Sequence, residues 1–241
     1  MMSPPADGAA AASLLRELSR VQRCNAERVR NPELARALAW LAAWQMRRLH
    51  STYADLEESP RYAPAMKFFE TDLYGASDFA RRDGDLVRVV PAMRRLLPGN
   101  VLETVATAAE LNAVSQELDR EMMDRLSPCG DRFTVADYCI AYRRMGAYHR
   151  RERQIRLIGD VGAALDRYVQ KPLLHVALKV MRRPAQVAGL SALQDFLERG
   201  FSAFAHMHGA VEFLATIESR ETALHEAIVG GANDPFPDPM A

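Results

Sequence analysis

Two arginines and a histidine on one stretch of chain are the residues best placed to do chemistry. A helix starting at Thr134 carries a seam of Val135, Tyr138, Cys139, Tyr142 and Met145. Continued at the same spacing, that seam meets His149, Glu152, Arg153 and Arg156. Between Tyr142 and Leu157 there are six arginines and one glutamate. A guanidinium grips a carboxylate or phosphate through parallel N–H bonds, and an imidazole beside it titrates near neutral pH. One expectation is therefore a small-anion pocket at the end of a bundle, with Tyr142, His149, Arg153 and Arg156 as ligand-binding residues. The other is a salt-bridge network, because the stretch from Asn100 to Leu126 offers Glu103, Glu110, Glu117, Asp119, Glu121 and Asp124.

A second set lies towards the C-terminus. His208 and Glu212, like Glu221 and His225, are four residues apart and share a helix face. No Glu-x-x-His and no His-Glu-x-x-His occurs, so neither a di-iron carboxylate bundle nor a zinc protease is indicated, and no metal is expected. Gly200 and Gly209 fall inside the helix expected over 191–230, where each costs about 1 kcal/mol relative to Ala. Close approach of another helix offsets that cost. So does a flat ligand lined by Phe204, Met207 and His208, for which a haem with His208 or His149 as axial ligand is one form. The identity of any cofactor stays open, and so does catalysis.

These residues belong to an ordinary globular chain of 241 residues, with 31 basic and 31 acidic side chains and 49% apolar residues. The balance excludes attraction to nucleic acid by bulk charge, and Tyr138, Tyr142 and Tyr148 among the arginines form no recognisable reading motif. No nucleic-acid and no membrane partner is expected, since no uncharged run approaches the roughly 20 apolar residues of a span. Cys24, Cys129 and Cys139 have neither disulfide nor zinc spacing and read as free thiols. With no signal-peptide pattern at the start, the expected location is cytoplasmic.

The punctuation is helical throughout. Asn31-Pro32 supplies an N-cap and a first-turn proline, Thr134 with Asp137 a capping box, and Pro98-Gly99, Lys171-Pro172 and Arg183-Pro184 further boundaries. No stretch alternates as a strand would. The fold expected is all-α: a single-domain helical bundle of about eight helices over 13–231, after a disordered segment 1–12 and before a Pro-rich tail 232–241. One continuous helix is expected from Thr134 to about Ile158, with Gly159 ending it, and another from Ser191 to Gly230.

The segment Phe68-Phe69-Glu70-Thr71-Asp72-Leu73-Tyr74-Gly75 resembles the signature of the FFLEELY-motif family of uncharacterised bacterial proteins. Leu193 to Phe201 is similar to that family's C-terminal part, and the resemblance extends over roughly 60–230. Glu70 and Thr71 depart from the eponymous string. The resemblance implies a helical domain and no transferable activity. Physically, Phe68, Phe69 and Leu73 make an apolar stripe at a helix end, which Tyr74 and Gly75 close; Asp72 and Tyr74 are also available to a ligand. The leading expectation is a non-catalytic binding or protein-interaction module. Trp40 and Trp44, one turn apart, form a homodimer seam if exposed and a core if buried. The alternative is a cofactor- or anion-binding pocket near His149, Arg153 and His208.

Overall fold

The computed structural model describes residues 6–73, 90, 99–126 and 133–240. Among these it contains ten α-helices, one π-helical turn and no strand. The helices are α1 (Ala6–Arg30), α2 (Pro32–Thr52), α3 (Ala54–Glu58), α4 (Ala63–Phe68), α5 (Gly99–Leu126), α6 (Val135–Met145), α7 (Tyr148–Val169), α8 (Pro172–Val187), α9 (Ser191–His206) and α10 (Val211–Val229). The π turn, Phe69–Leu73, continues directly from α4. No helix among the described residues is long and apolar enough to cross a membrane.

Local chemistry accounts for the helix starts. Asn31 Oδ1 accepts from the Leu34 N–H at 3.0 Å with Pro32 in the first turn. Thr134 and Asp137 form the reciprocal box, with side chain to backbone bonds of 3.2 and 2.9 Å. Two long helices expected from the sequence are each divided. Gly146 takes φ +62° and ends α6, so the seam that began at Val135 does not continue in phase. Between α9 and α10, His208 (φ 52°) and Gly209 (φ 114°) turn the chain through the left-handed region. By contrast α7 runs through Gly159, where a single glycine weakens a helix without ending it. Helix α1 begins at Ala6 rather than Ser13, because Ala10 and Ala11 are already buried beside Leu14.

Three large apolar clusters and a small fourth, of Val114, Leu118 and Ala147, fill the bundle. The first is aromatic: Trp44 stacks on Tyr138 at 4.7 Å and touches Phe133 at 5.1 Å. Trp44 is fully buried and Trp40, half-buried, meets Phe133 edge-on at 4.5 Å, so the two tryptophans belong to the core rather than to an exposed seam. The tail completes this cluster. Phe236 packs on Trp44 at 5.9 Å, and Arg143 holds the preceding backbone by donating to Ile228 O and Ala232 O. The second cluster joins Tyr53, Tyr62 and Met66 to Phe204, Met207, Phe213 and Ile217. The third packs Leu14 and Leu18 of α1 on Leu102, Ala106 and Ala109 of α5. Gly200 lets α4 approach α9 closely: a Cβ there would lie 2.8 Å from Phe68 Cζ.

Candidate functional site

The residues expected to bind a ligand fall into two groups at opposite ends of α7. His149 opens that helix with its side chain 98% exposed and Nδ1 3.3 Å from Glu152. Arg153 is already gripped, donating from Nε and Nη2 to the two oxygens of Glu110 at 2.9 Å each. That bond raises its pKa above the ordinary guanidinium value, against a smaller opposing effect of burial. Arg156 is exposed. Arg150 pairs with Glu121, so Glu110 and Glu121 of α5 neutralise two arginines of this face, while Glu117 is taken by Arg20 of α1.

Phe204 and His208 stand elsewhere. Phe204 is buried in the second cluster, while His208 is exposed in the turn after α9. They border a shallow surface groove of about 420 Å³ with Val169, Gln170, Ala205 and Gly209. That groove lies at the C-terminal end of α7, about 30 Å along the axis from His149 at 1.5 Å per residue. The two groups therefore share no pocket. Neither histidine faces the interior, and no set of three or more His, Cys, Asp or Glu residues among the described ones is arranged to hold a metal. Of the motif, Phe68 is buried against Phe196 and Gly200, and Phe69 packs on Phe213. The side chains of Asp72 and Leu73, the whole of Tyr74, and Cys129 lie outside the described residues.

What the structure does assemble is a polar interior. On α10, Glu221 accepts from Arg48 of α2 at 2.5 and 3.2 Å and from the Tyr53 hydroxyl at 2.8 Å. Burial pushes the Glu221 carboxyl up, but Arg48 and Tyr53 outweigh it and hold the pKa below the usual range. One turn on, His225 Nδ1 lies 2.7 Å from the Tyr142 hydroxyl, and its Nε2 is 3.8 Å from Glu152. Gln45 donates to Asp119 at 3.1 Å. Burial raises the Asp119 carboxyl, with Arg151, Gln45 and Arg28 acting against it.

With these positions fixed, comparison with known proteins is informative about kinship. A family model described as a domain of unknown function, DUF8198, matches residues 24–235. The chain belongs to the DUF8198 family. No curated protein and no solved structure matches it. The match spans α2 to α10 and therefore the entire polar interior, which makes this network part of the DUF8198 domain rather than an appendage to it.

Chemically, the interior of this DUF8198 chain favours fixed hydrogen bonds over nucleophilic attack. Burial holds the Tyr142 phenol well above its ordinary pKa, so it remains a neutral hydroxyl next to His225. Cys139 is buried and its thiol is pushed up to about 11. Neither group supplies an anion at neutral pH. Arg151, the buried member of the cluster, is invisible to a continuous seam drawn from Val135. The signal that would have exposed it is Gly146, whose left-handed exit rotates α7 and turns Arg151 and Leu157 inward in place of His149 and Arg153.

Proposed function

We propose that this chain is a non-catalytic interaction module that offers α8 to an acidic amphipathic helix of a partner protein. The supporting observation is one unpartnered apolar row. Leu173 (83% exposed), Val176, Val180 and Val187 (92% exposed) recur at helical spacing on one face, with the exposed Met181 beside them. Scattered exposed apolar residues are ordinary, whereas a continuous row on one helix reads as a contact surface. The helix is held from its other side, where His175 meets Phe201 at 4.6 Å and Gln194 donates to Leu178 O.

Charge selects the partner. Lys171, Lys179, Arg182 and Arg183 flank the row, and no acid occurs from Lys171 to Val187. Glu198 pairs with Arg182, and Lys171 lies over the Tyr168 ring, which leaves Lys179 and Arg183 facing outward. A two-fold contact with a second copy through this face would oppose like charges. A lipid surface suits it less well, because the row carries none of the aromatic anchors of interfacial helices. The FFLEELY resemblance brings no activity that competes with this reading.

The test uses the full chain and a labelled synthetic helix with Leu at i, i+3 and i+7 and Glu flanks, followed by fluorescence anisotropy. Binding should weaken at least tenfold in a Leu173→Asp/Val180→Asp variant and also fall with added salt. Val29→Asp, at an exposed apolar position on α1, should leave it unchanged. Loss of binding in both variants alike, or no binding by the wild type, removes the proposal. Binding to phosphatidylserine vesicles but not to the peptide assigns the face to a membrane. A dimer abolished by Val180→Asp assigns it to a second copy.

A further inference from the structure

Inside the bundle, independent of the α8 surface, Arg151 is the charged side chain with two sealed nitrogens left without a partner among the described residues. Arg151 of α7 is 8% exposed. Its Nη1 donates to Gln154 Oε1 at 3.1 Å, and its guanidinium carbon lies 5.0 Å from the centre of the Tyr142 ring. Nε and Nη2 are sealed from solvent and have no hydrogen-bond partner. Those two N–H groups lie in the guanidinium plane along one edge and are a pair that binds a carboxylate with two parallel bonds.

Elsewhere the chain uses this edge repeatedly for that purpose. Arg20 applies it to Glu117, Arg153 to Glu110 and Arg182 to Glu198. At Arg151 alone of these four the edge meets no protein acceptor, in the interior where an unmade bond is most expensive. The nearby acids are engaged. Glu221 is held by Arg48 and Tyr53, and Asp119 by Gln45, so both act on Arg151 only through space. Asp119 lies deep in the bundle yet keeps some accessible surface, so packing around it is not closed.

We propose that the Nε/Nη2 edge of Arg151 is a binding site for a small monocarboxylate of formate or acetate size, held as Glu110 is held by Arg153. Sealing of the edge limits the occupant to a few heavy atoms, admitted by motion of the surrounding side chains. Glu221 is already paired with Arg48, and no carboxylate lies in hydrogen-bonding contact with Arg151, so its two-pronged edge has no protein anion bound to it.

The experiment is thermal unfolding and titration calorimetry of the full chain with sodium formate or acetate, against sodium chloride at equal ionic strength. Saturable stabilisation by the carboxylates is expected, with affinity lost at least tenfold in Arg151→Lys, which keeps the charge but not the two-pronged edge. Arg153→Lys should bind as the wild type does. No saturable effect in the wild type, or an equal effect in Arg151→Lys, overturns the proposal. Should Arg151 variants fail to fold, a high-resolution crystal structure of the wild type grown in acetate decides the matter. Acetate on Nε and Nη2 supports the site, and water alone there overturns it.

Discussion

Replacing glycine by alanine at Gly159 and at Gly200 makes the same chemical change in two helix interiors, and the surroundings predict opposite signs. At Gly159 a new Cβ meets no atom within 4 Å. Only the backbone advantage of alanine remains, a gain of about 0.5–1 kcal/mol. At Gly200 the Cβ falls 2.8, 3.2 and 3.3 Å from three atoms of the Phe68 ring. That ring is wedged between Phe69 at 6.4 Å and Phe196 at 5.4 Å and has nowhere easy to go. Overpacking of this kind costs about 1–3 kcal/mol and outweighs the helical gain, for a net loss of about 1 kcal/mol. For a chain of this length 1 kcal/mol corresponds to roughly 2 °C in Tm. Calorimetry or urea unfolding should therefore find Gly159→Ala higher than wild type by up to about 2 °C and Gly200→Ala lower by a similar amount. A Phe68→Leu/Gly200→Ala double variant should recover part of the loss as a favourable coupling. Equal signs for the two single variants, or no coupling, would refute the close contact between α4 and α9.

The polar interior supports two further tests. Glu221→Ala removes the buried carboxylate that Arg48 and the Tyr53 hydroxyl share, and urea unfolding should show a loss of about 3 kcal/mol; a loss below 1 kcal/mol would mean that water replaces the carboxylate. Asp119 has a folded pKa raised above its unfolded value by burial, so its contribution is fully present below the ordinary carboxyl pKa and is lost as pH rises through the folded value. Asp119→Asn should consequently be more stable than wild type at neutral pH, with the difference shrinking as pH falls towards about 4. A pH-independent difference would contradict this.

Much of the fold is legible because helix ends are local. Asn31-Pro32 and the Thr134/Asp137 box write their hydrogen bonds into adjacent residues, and both occur as read. The interruptions are harder. Gly146, Gly159 and Gly209 are alike as letters, yet Gly146 ends a helix, Gly159 sits inside one and Gly209 turns the chain after His208. The difference lies in what packs beyond each glycine, which is tertiary information. The consequence for the site is large. One missed break at Gly146 shifts the phase of α7, so His149 and Arg153 replace Arg151 in a reading by spacing alone. The Glu221/His225 pair was visible as a shared face, but its partners, Arg48, Tyr53 and Tyr142, come from distant parts of the chain. The groups of α8 are plain in sequence; that their apolar row lacks a cover is not.

The insertion of Phe236 beside Trp44 has a consequence for biosynthesis. At about 5–20 residues per second, the ribosome adds Phe236 roughly 10–40 s after Trp44. Throughout that interval the nascent chain holds an indole whose final neighbour has not been made. Helices α1 to α5 can condense as they emerge, but the aromatic core closes only when Arg143 clasps the arriving tail and Phe236 seats against the ring. A truncation that removes Phe236 thus leaves the polypeptide arrested at its last pre-native stage, with a hydrophobic socket open to chaperones and proteases.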